Sequence, residues 1–262
     1  MTLDLNDLIS DWPASREEIS ARMIQGQAGE ALIQLRIELG VLQMFPDDRP
    51  DGQRFRGLPS ASEYVRRQLR RQQPLEEADW AELVRELHQT NYRRLALTSM
   101  AESAIAEGDG DAARQQLTRA LRDVDLCVAS LRLLERDGRE SNLRQTMVPT
   151  LVFNRARLRC RLHIVEQQFD DAIEVAKNGA QELEDVLSRF VGDEASHDRD
   201  AGVEYLRQLE RRLREEKNIP RTLYERLDDA VEREDFEEAS RLRDMLDRRN
   251  QRATDVSTGA ED

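Results

Sequence analysis

Lysine is nearly absent from this sequence, cysteine is scarce, and long apolar runs do not occur in it. The only lysines are Lys177 and Lys217, so almost all of the 40 basic residues are arginine. Arginine use that general reflects codon bias in a GC-rich genome, and a lone arginine therefore carries little functional weight. Two cysteines, Cys127 and Cys160, are too few for a disulfide framework, and both sit in helical stretches. They are expected to be small buried thiols in a cytoplasmic protein. No apolar run approaches the roughly 18 residues a membrane-spanning helix needs, and the opening MTLDLNDL lacks the basic region of a signal peptide. No membrane association is expected. The three histidines, His88, His163 and His197, are scattered, and none stands at metal spacing from a cysteine or another histidine. No serine or cysteine nucleophile has a recognisable base near it in sequence, and no P-loop is present. The expectation is a protein without metal, cofactor or catalytic residues.

What is present is charge. Among 262 residues, 35% are charged and 39% hydrophobic, with a net charge of −13. That composition fits a soluble, mainly α-helical protein with solvated outer faces. The negative charge argues against broad nucleic-acid binding, which depends on neutralising phosphates.

Residues 1–75 form the first region. Ile19, Ala21 and Met23 alternate, as do Ile33, Leu35, Ile37, Leu39 and Val41, with QGQAG between the two runs. This predicts a small β-hairpin. A helical alternative exists, since Ser15 and Glu18 are spaced as a capping box and Leu32, Leu35, Leu39 and Leu42 share a helical face. The hairpin is the preferred reading. PDDRPDG at 46–52 is a loop, and Ser60 with Glu63 opens a helix that runs to about Arg71.

Residues 76–190 read as a helical domain. EGDGDAARQQLTRAL from Glu107 and EQQFDDAIEVAKNGA from Glu166 resemble each other, with Ala113 matching Ala172 and Ala120 matching Gly179. Small residues at those places let antiparallel helices approach closely. The pattern resembles tetratricopeptide helix pairs, although the copies are further apart than the roughly 34-residue unit. A plain helical bundle explains it equally well. The polar stretch VGDEASHDRDAG at 191–202 is the boundary expected next, so that 191–219 becomes a linker with a charged helix. Residues 251–262 lack periodicity and are expected to be a disordered tail.

Residues 220–250 carry the most information. Thr222 and Glu225 are spaced as a capping box after Pro220, and Asp235 with Glu238 repeats that geometry after a sharp turn. Leu223, Leu227, Ala230 and Val231 line the first helix. Phe236, Ala239, Leu242, Met245 and Leu246 form the apolar stripe of the second. Glu237–Arg241 and Asp244–Arg248 are acid-before-base pairs. The prediction is an antiparallel helical hairpin with a thin seam, too small to be stable alone. It must dock on its own protein, a second copy or a partner.

The stretch LYERLDDAVEREDFEEASRLRDML closely resembles the UVR motif of the excision-repair proteins UvrB and UvrC and of some Clp-type unfoldases and their adaptors. Leu227, Ala230, EDFEEA with Phe236 and Ala239, and LRD at Leu242, Arg243 and Asp244 carry the likeness. Ser240 departs from the usual alanine, a change expected to loosen the seam. The resemblance implies protein–protein association through the hairpin, with another UVR protein, a Clp-type unfoldase or a second copy. The interaction residues it implies are Leu223, Leu227, Val231, Phe236, Ala239, Leu242 and Leu246, with Phe236 and Leu242 as anchors. The segment LGVLQMFPDDRPDG at 39–52 also resembles the N-terminal part of bacterial UVR-motif proteins, and that likeness implies no particular activity. The expected function is a non-enzymatic adaptor.

Arg66, Arg67, Arg70 and Arg71 crowd one side of the helix after Ser60, with Tyr64 close by. Such crowding is unfavourable unless something anionic sits there. The favoured partner is internal, for instance Glu76, Glu77 and Asp79. An external anion, including nucleic acid, makes these four the candidate anion-binding residues of an alternative reading, a DNA-repair or nucleic-acid accessory protein. A second arginine set, Arg155, Arg157, Arg159 and Arg161, would face a groove and bind a partner's carboxylates if the domain is tetratricopeptide-like. Otherwise it forms ordinary salt bridges.

Overall fold

The computed structural model describes residues 9–12, 19–38, 40–190 and 197–258. Strand β1 (Ser20–Gln25), β2 (Ala31–Ile37) and β3 (Gly40–Met44) form an antiparallel sheet in the order β1–β2–β3. The expected hairpin is there, with Gln25 opposite Ala31 and Ser20 opposite Arg36. Its turn closes where the Gly26 N–H donates to the Glu30 carbonyl at 2.7 Å, and Gly29 takes the left-handed conformation at φ 86° that glycine tolerates best. The run from Ile33 to Val41 is not one strand. It reverses after Ile37, which pairs with Gly40, and Ile33 faces Met44. A two-residue reversal changes the parity of the alternation, so Leu42 and Met44, not Val41, share the core face with Ile33 and Leu35. The helical alternative fails because Leu32, Leu35 and Leu42 lie in strands. Ser15, Glu18 and Leu39 lie outside the described residues.

The sheet packs on the first of five long helices: α2 (Glu77–Glu107), α3 (Gly110–Arg136), α4 (Ser141–Val165), α5 (Phe169–Phe190) and α6 (His197–Lys217), preceded by the short α1 (Ala61–Arg70). The main cluster gathers Ile33, Leu35 and Met44 of the sheet, Val65 of α1, Trp80, Leu83 and Leu87 of α2, and Leu117, Val124 and Leu131 of α3. Each long helix packs on the next in sequence. The matched small residues do what their size suggests. Ala113, Ala120 and Ala172 are fully buried, and a Cβ added to Gly179 would stand 2.4 Å from the Ala156 Cβ, so α4 and α5 approach as only glycine permits. Helices of 31, 27, 25 and 22 residues are too long for a roughly 34-residue unit that must hold two helices. The repeated pattern marks two long helical hairpins.

Helix α6 lies inside the segment expected to act as a linker, yet it is packed. Val203 and Leu206 join Val152 and Leu183, while Leu209 and Leu213 join Cys160 and Ile173. Its apolar residues are spaced three and four apart within a heavily charged sequence, so composition hid the stripe.

The loop between sheet and helices is held from beneath by a buried ion pair. Arg93 and Asp123 meet in a two-point contact at 2.7 and 2.8 Å, both without solvent access. Arg93 Nη1 then donates to the carbonyls of Phe45, Asp47 and Asp48 at 3.1, 3.2 and 2.8 Å. Arg49 of the same loop is buried against Asp51 at 2.9 Å and against Glu82. Glu86 accepts from the Ala61 and Ser62 amides at 2.7 and 3.3 Å, capping α1 from another helix. Burial pushes the Glu86 carboxyl above its ordinary range, against the pull of those amides and Arg49. Ser60 Oγ accepts from the Glu63 N–H at 3.0 Å, as its spacing predicts.

Candidate functional site

The C-terminal hairpin consists of α7 (Leu223–Glu232) and α8 (Phe236–Thr258). Both predicted caps form. Thr222 Oγ1 accepts from the Glu225 N–H at 3.2 Å while Glu225 accepts from the Thr222 N–H at 3.0 Å. Asp235 accepts from the Glu238 N–H at 3.1 Å. Between the helices Glu234 adopts φ 58°, the left-handed step that reverses the chain. Helix α8 continues to Thr258, through most of the stretch expected to be a disordered tail, because no proline or glycine interrupts the sequence before Gly259.

The seam is internal to the hairpin. Ala230 and Ala239 meet Leu242, which is 1% exposed, with Leu223 and Leu227 packed alongside. Leu246 is also buried. The other two proposed interaction residues stand outside the seam, Phe236 at 72% and Val231 at 48% exposed. Phe236 is the first residue of α8, at the tip of the hairpin, where no facing helix remains to cover it. The sequence placed Phe236 and Leu242 on one stripe as equal anchors. Leu242 instead holds the two helices together, and Phe236 is presented to solvent. Ser240 is exposed, so its departure from alanine does not touch the seam. Arg241 pairs with Glu238 at 2.8 Å instead of with Glu237.

The base of the hairpin is fixed to the body by polar contacts, which the sequence reading missed. The Leu223 N–H donates to Asp170 at 2.9 Å, Thr222 Oγ1 to Glu174 at 2.6 Å and the Tyr224 hydroxyl to Asp171 at 2.7 Å. All three acids belong to α5, so the N-terminus of one helix meets carboxylates of another, the favourable sense of the helix dipole. Glu225 lies where three helices converge. Arg214 of α6 grips it at 2.8 and 3.0 Å, and Lys177 of α5 reaches it at 2.9 Å. Hydrogen bonding from Arg214, then Lys177 and the Thr222 amide, holds its carboxyl down to about 2, against the opposing effect of burial. Asp170 and Asp171 stand in the first turn of α5, and their partners lie some fifty positions on, beyond what local spacing can pair.

Residues 216–249 match the UvrB/uvrC motif, the UVR family model. The match covers the UVR hairpin and the short approach to it, and leaves the helical body and the sheet outside. No curated protein and no solved structure matches the chain.

The basic helix was expected to pair internally, and it does not. Arg66, Arg67, Arg70 and Arg71 are exposed and line a groove of about 640 Å³ with Ser60, Ser62, Leu126 and one acid, Glu63. Among the described residues no carboxylate lies within salt-bridge distance of any of the four. The acids expected to meet them are taken: Glu76 and Asp79 pair with Arg56 at 2.7 and 2.8 Å, and Glu77 with Arg139 at 2.7 Å. Two of the four lie in the last turn of α1, where the helix dipole favours cations. In the second arginine set, Arg155 pairs with Glu182 and Arg161 with Glu102.

Cys127 and Cys160 are buried free thiols, pushed up to about 12 chiefly by burial. They are packing groups and not nucleophiles at neutral pH. Among the described residues no group of histidines, cysteines and acids is placed to hold a metal ion, and no helix is long and apolar enough to cross a membrane.

Proposed function

We propose that this chain is a non-enzymatic adaptor of the cytoplasm, a helical body that presents a UVR hairpin to a protein partner. The observation that carries the reading is Phe236, a phenylalanine 72% exposed at the tip of a hairpin whose base is clamped to the body. An aromatic side chain left in water on a fixed support is a ready-made anchor, because its burial on contact costs little further ordering. Val231 is exposed on the preceding helix, before the same turn, and adds apolar area. The partner classes the motif supports are a second UVR hairpin, on another UVR protein or on a second copy of this chain, and a Clp-type unfoldase. Sedimentation of the full chain detects self-association, and affinity capture with and without Phe236→Ala detects the others. Association that survives both Phe236→Ala and deletion of residues 220–250 removes the adaptor reading.

A second reading rests on Arg66, Arg67, Arg70 and Arg71 of α1 and its C-cap, which have no ion pair among the described residues. Four guanidinium groups on one groove are the footprint of a phosphate-bearing ligand, and a nucleic-acid accessory role would use them. The net charge of −13 sets the expectation that such binding is weak at physiological salt. Changing all four to glutamine should abolish it and flatten its salt dependence.

A further inference from the structure

Two neighbouring arginines of α2 are both buried and are treated very differently by the fold. Arg93 meets Asp123 and three loop carbonyls. Arg94, at 3% exposed, has its Nε on Asn91 Oδ1 at 3.0 Å, and among the described residues no carboxylate reaches its guanidinium. Buried charges in proteins are almost always paired, since leaving water uncompensated is costly. Arg94 opens onto a groove of about 700 Å³ between α2 and α4, whose walls include Thr98 and Glu102 on one side and Thr150, Asn154 and Arg157 on the other. That volume lies in the range of small-ligand sites.

Arg157 repeats the anomaly. Its Nε is buried without a hydrogen-bond partner, and among the described residues it has no ion pair. Glu102, the acid of this groove, is directed at Arg161 at 3.5 Å. Burial pulls the Arg94 guanidinium below its ordinary range and the charge of Arg157 pulls it further, with Cys127 and Asp123 acting the other way, so the two cations feel each other. A protein with thirteen surplus negative charges has here placed two cations together, with no acid paired to either among the described residues.

We propose that the α2–α4 groove is a binding site for an organic oxyanion, a carboxylate or a phosphate, held between Arg94 and Arg157. Two guanidinium forks suit such a group. The rest of the wall says what else the ligand carries. Thr98 and Thr150 donate their hydroxyls to the carbonyls of Arg94 and Thr146 at 2.8 and 3.1 Å, and Asn154 Nδ2 donates to Thr150 at 2.7 Å. The two hydroxyl hydrogens and one of the two Asn154 amide hydrogens are spent while the acceptor oxygens remain, so the wall offers chiefly acceptors and the ligand has hydroxyl or amide donors beside its anionic group. The site is independent of the UVR hairpin, since none of its residues lies beyond Arg157.

The test is thermal unfolding of the full chain with inorganic phosphate, with malate, and with sodium chloride at matched ionic strength. One or both oxyanions should raise the melting temperature beyond chloride, by about 4–8 °C when present at some forty times the dissociation constant. A response to phosphate alone or to malate alone identifies which oxyanion the groove takes. Arg94→Met should raise the melting temperature of the ligand-free protein, because it removes an unpaired buried charge at nearly constant volume, and should abolish the ligand response. Arg157→Gln, on a half-buried residue, should keep the fold and weaken the response at least tenfold in concentration. The proposal is overturned if neither oxyanion acts beyond chloride, or if the response survives in both variants. Loss of stability or of folding in Arg94→Met overturns it too, since Arg94 would then be a structural group.

Discussion

Leucine 242 and phenylalanine 236 stand six residues apart on one helix, and the structure gives them opposite jobs. Leu242 is buried among Ala230, Ala239, Leu223 and Leu227, a cluster drawn from the hairpin alone. Cutting Leu242 to alanine removes its share of that cluster and leaves a gap. Buried leucine-to-alanine changes cost about 2–5 kcal/mol, and this small, open-sided seam can partly collapse, which places the cost near the lower end, about 2–3 kcal/mol. A hairpin of this size has almost no stability to spare, so that loss shifts its open population by about 30- to 150-fold. The body does not share the cluster and should keep its melting temperature. Phe236→Ala removes a side chain that is largely in water, so the folding change should stay within about 0.5 kcal/mol. Its effect appears on association, where loss of a central aromatic costs about 2 kcal/mol or more. Hydrogen exchange separates the cases. Leu242→Ala should lose protection over 223–248 and keep it over 77–190, and Phe236→Ala should keep both while losing the partner in sedimentation or capture. Equal loss of hairpin protection in the two variants, or loss of body protection in Leu242→Ala, refutes the division of roles.

Three further outcomes follow from the same geometry. Asp123→Ala leaves Arg93 buried without its partner and unhooks the 45–48 loop, so thermal or denaturant unfolding should show a loss of about 3–5 kcal/mol. Gly179→Ala places a methyl group 2.4 Å from the Ala156 Cβ and should cost about 1–3 kcal/mol in the same assay, with Ala156→Gly recovering part of it in the double variant. Glu225 has its carboxyl held at about 2 against an ordinary value of 4.5, so the hold it provides is full above pH 4.5 and lost as pH falls toward 2. Allowing for its partial exposure this is worth about 1–2 kcal/mol, measurable as a pH-dependent loosening of amides 222–232 that Glu225→Gln abolishes.

Much of this protein could be read from neighbouring residues. The caps at Thr222–Glu225, Asp235–Glu238 and Ser60–Glu63 formed as spaced, because each bond closes within one helical turn and needs nothing from the rest of the chain. The β1–β2 turn and the close-packing alanines and glycine of the helical hairpins were legible for the same reason. The UVR hairpin was recognisable because caps, turn and seam all lie within one short stretch. Charge was not legible in this way. An arginine-rich sequence offers dozens of equivalent pairings, and only packing selects Arg93 for Asp123, Arg214 for Glu225 and Arg56 for the acids expected beside α1. The same packing leaves Arg94, the three arginines of α1 and Arg71 at its C-cap without an ion-paired acid among the described residues. A stripe of apolar residues cannot show where its facing helix ends, so the sequence could not separate buried Leu242 from exposed Phe236. Local hydrogen bonding fixed the elements, while long-range packing decided which charges found an acid among the described residues and which apolar side chains stayed exposed.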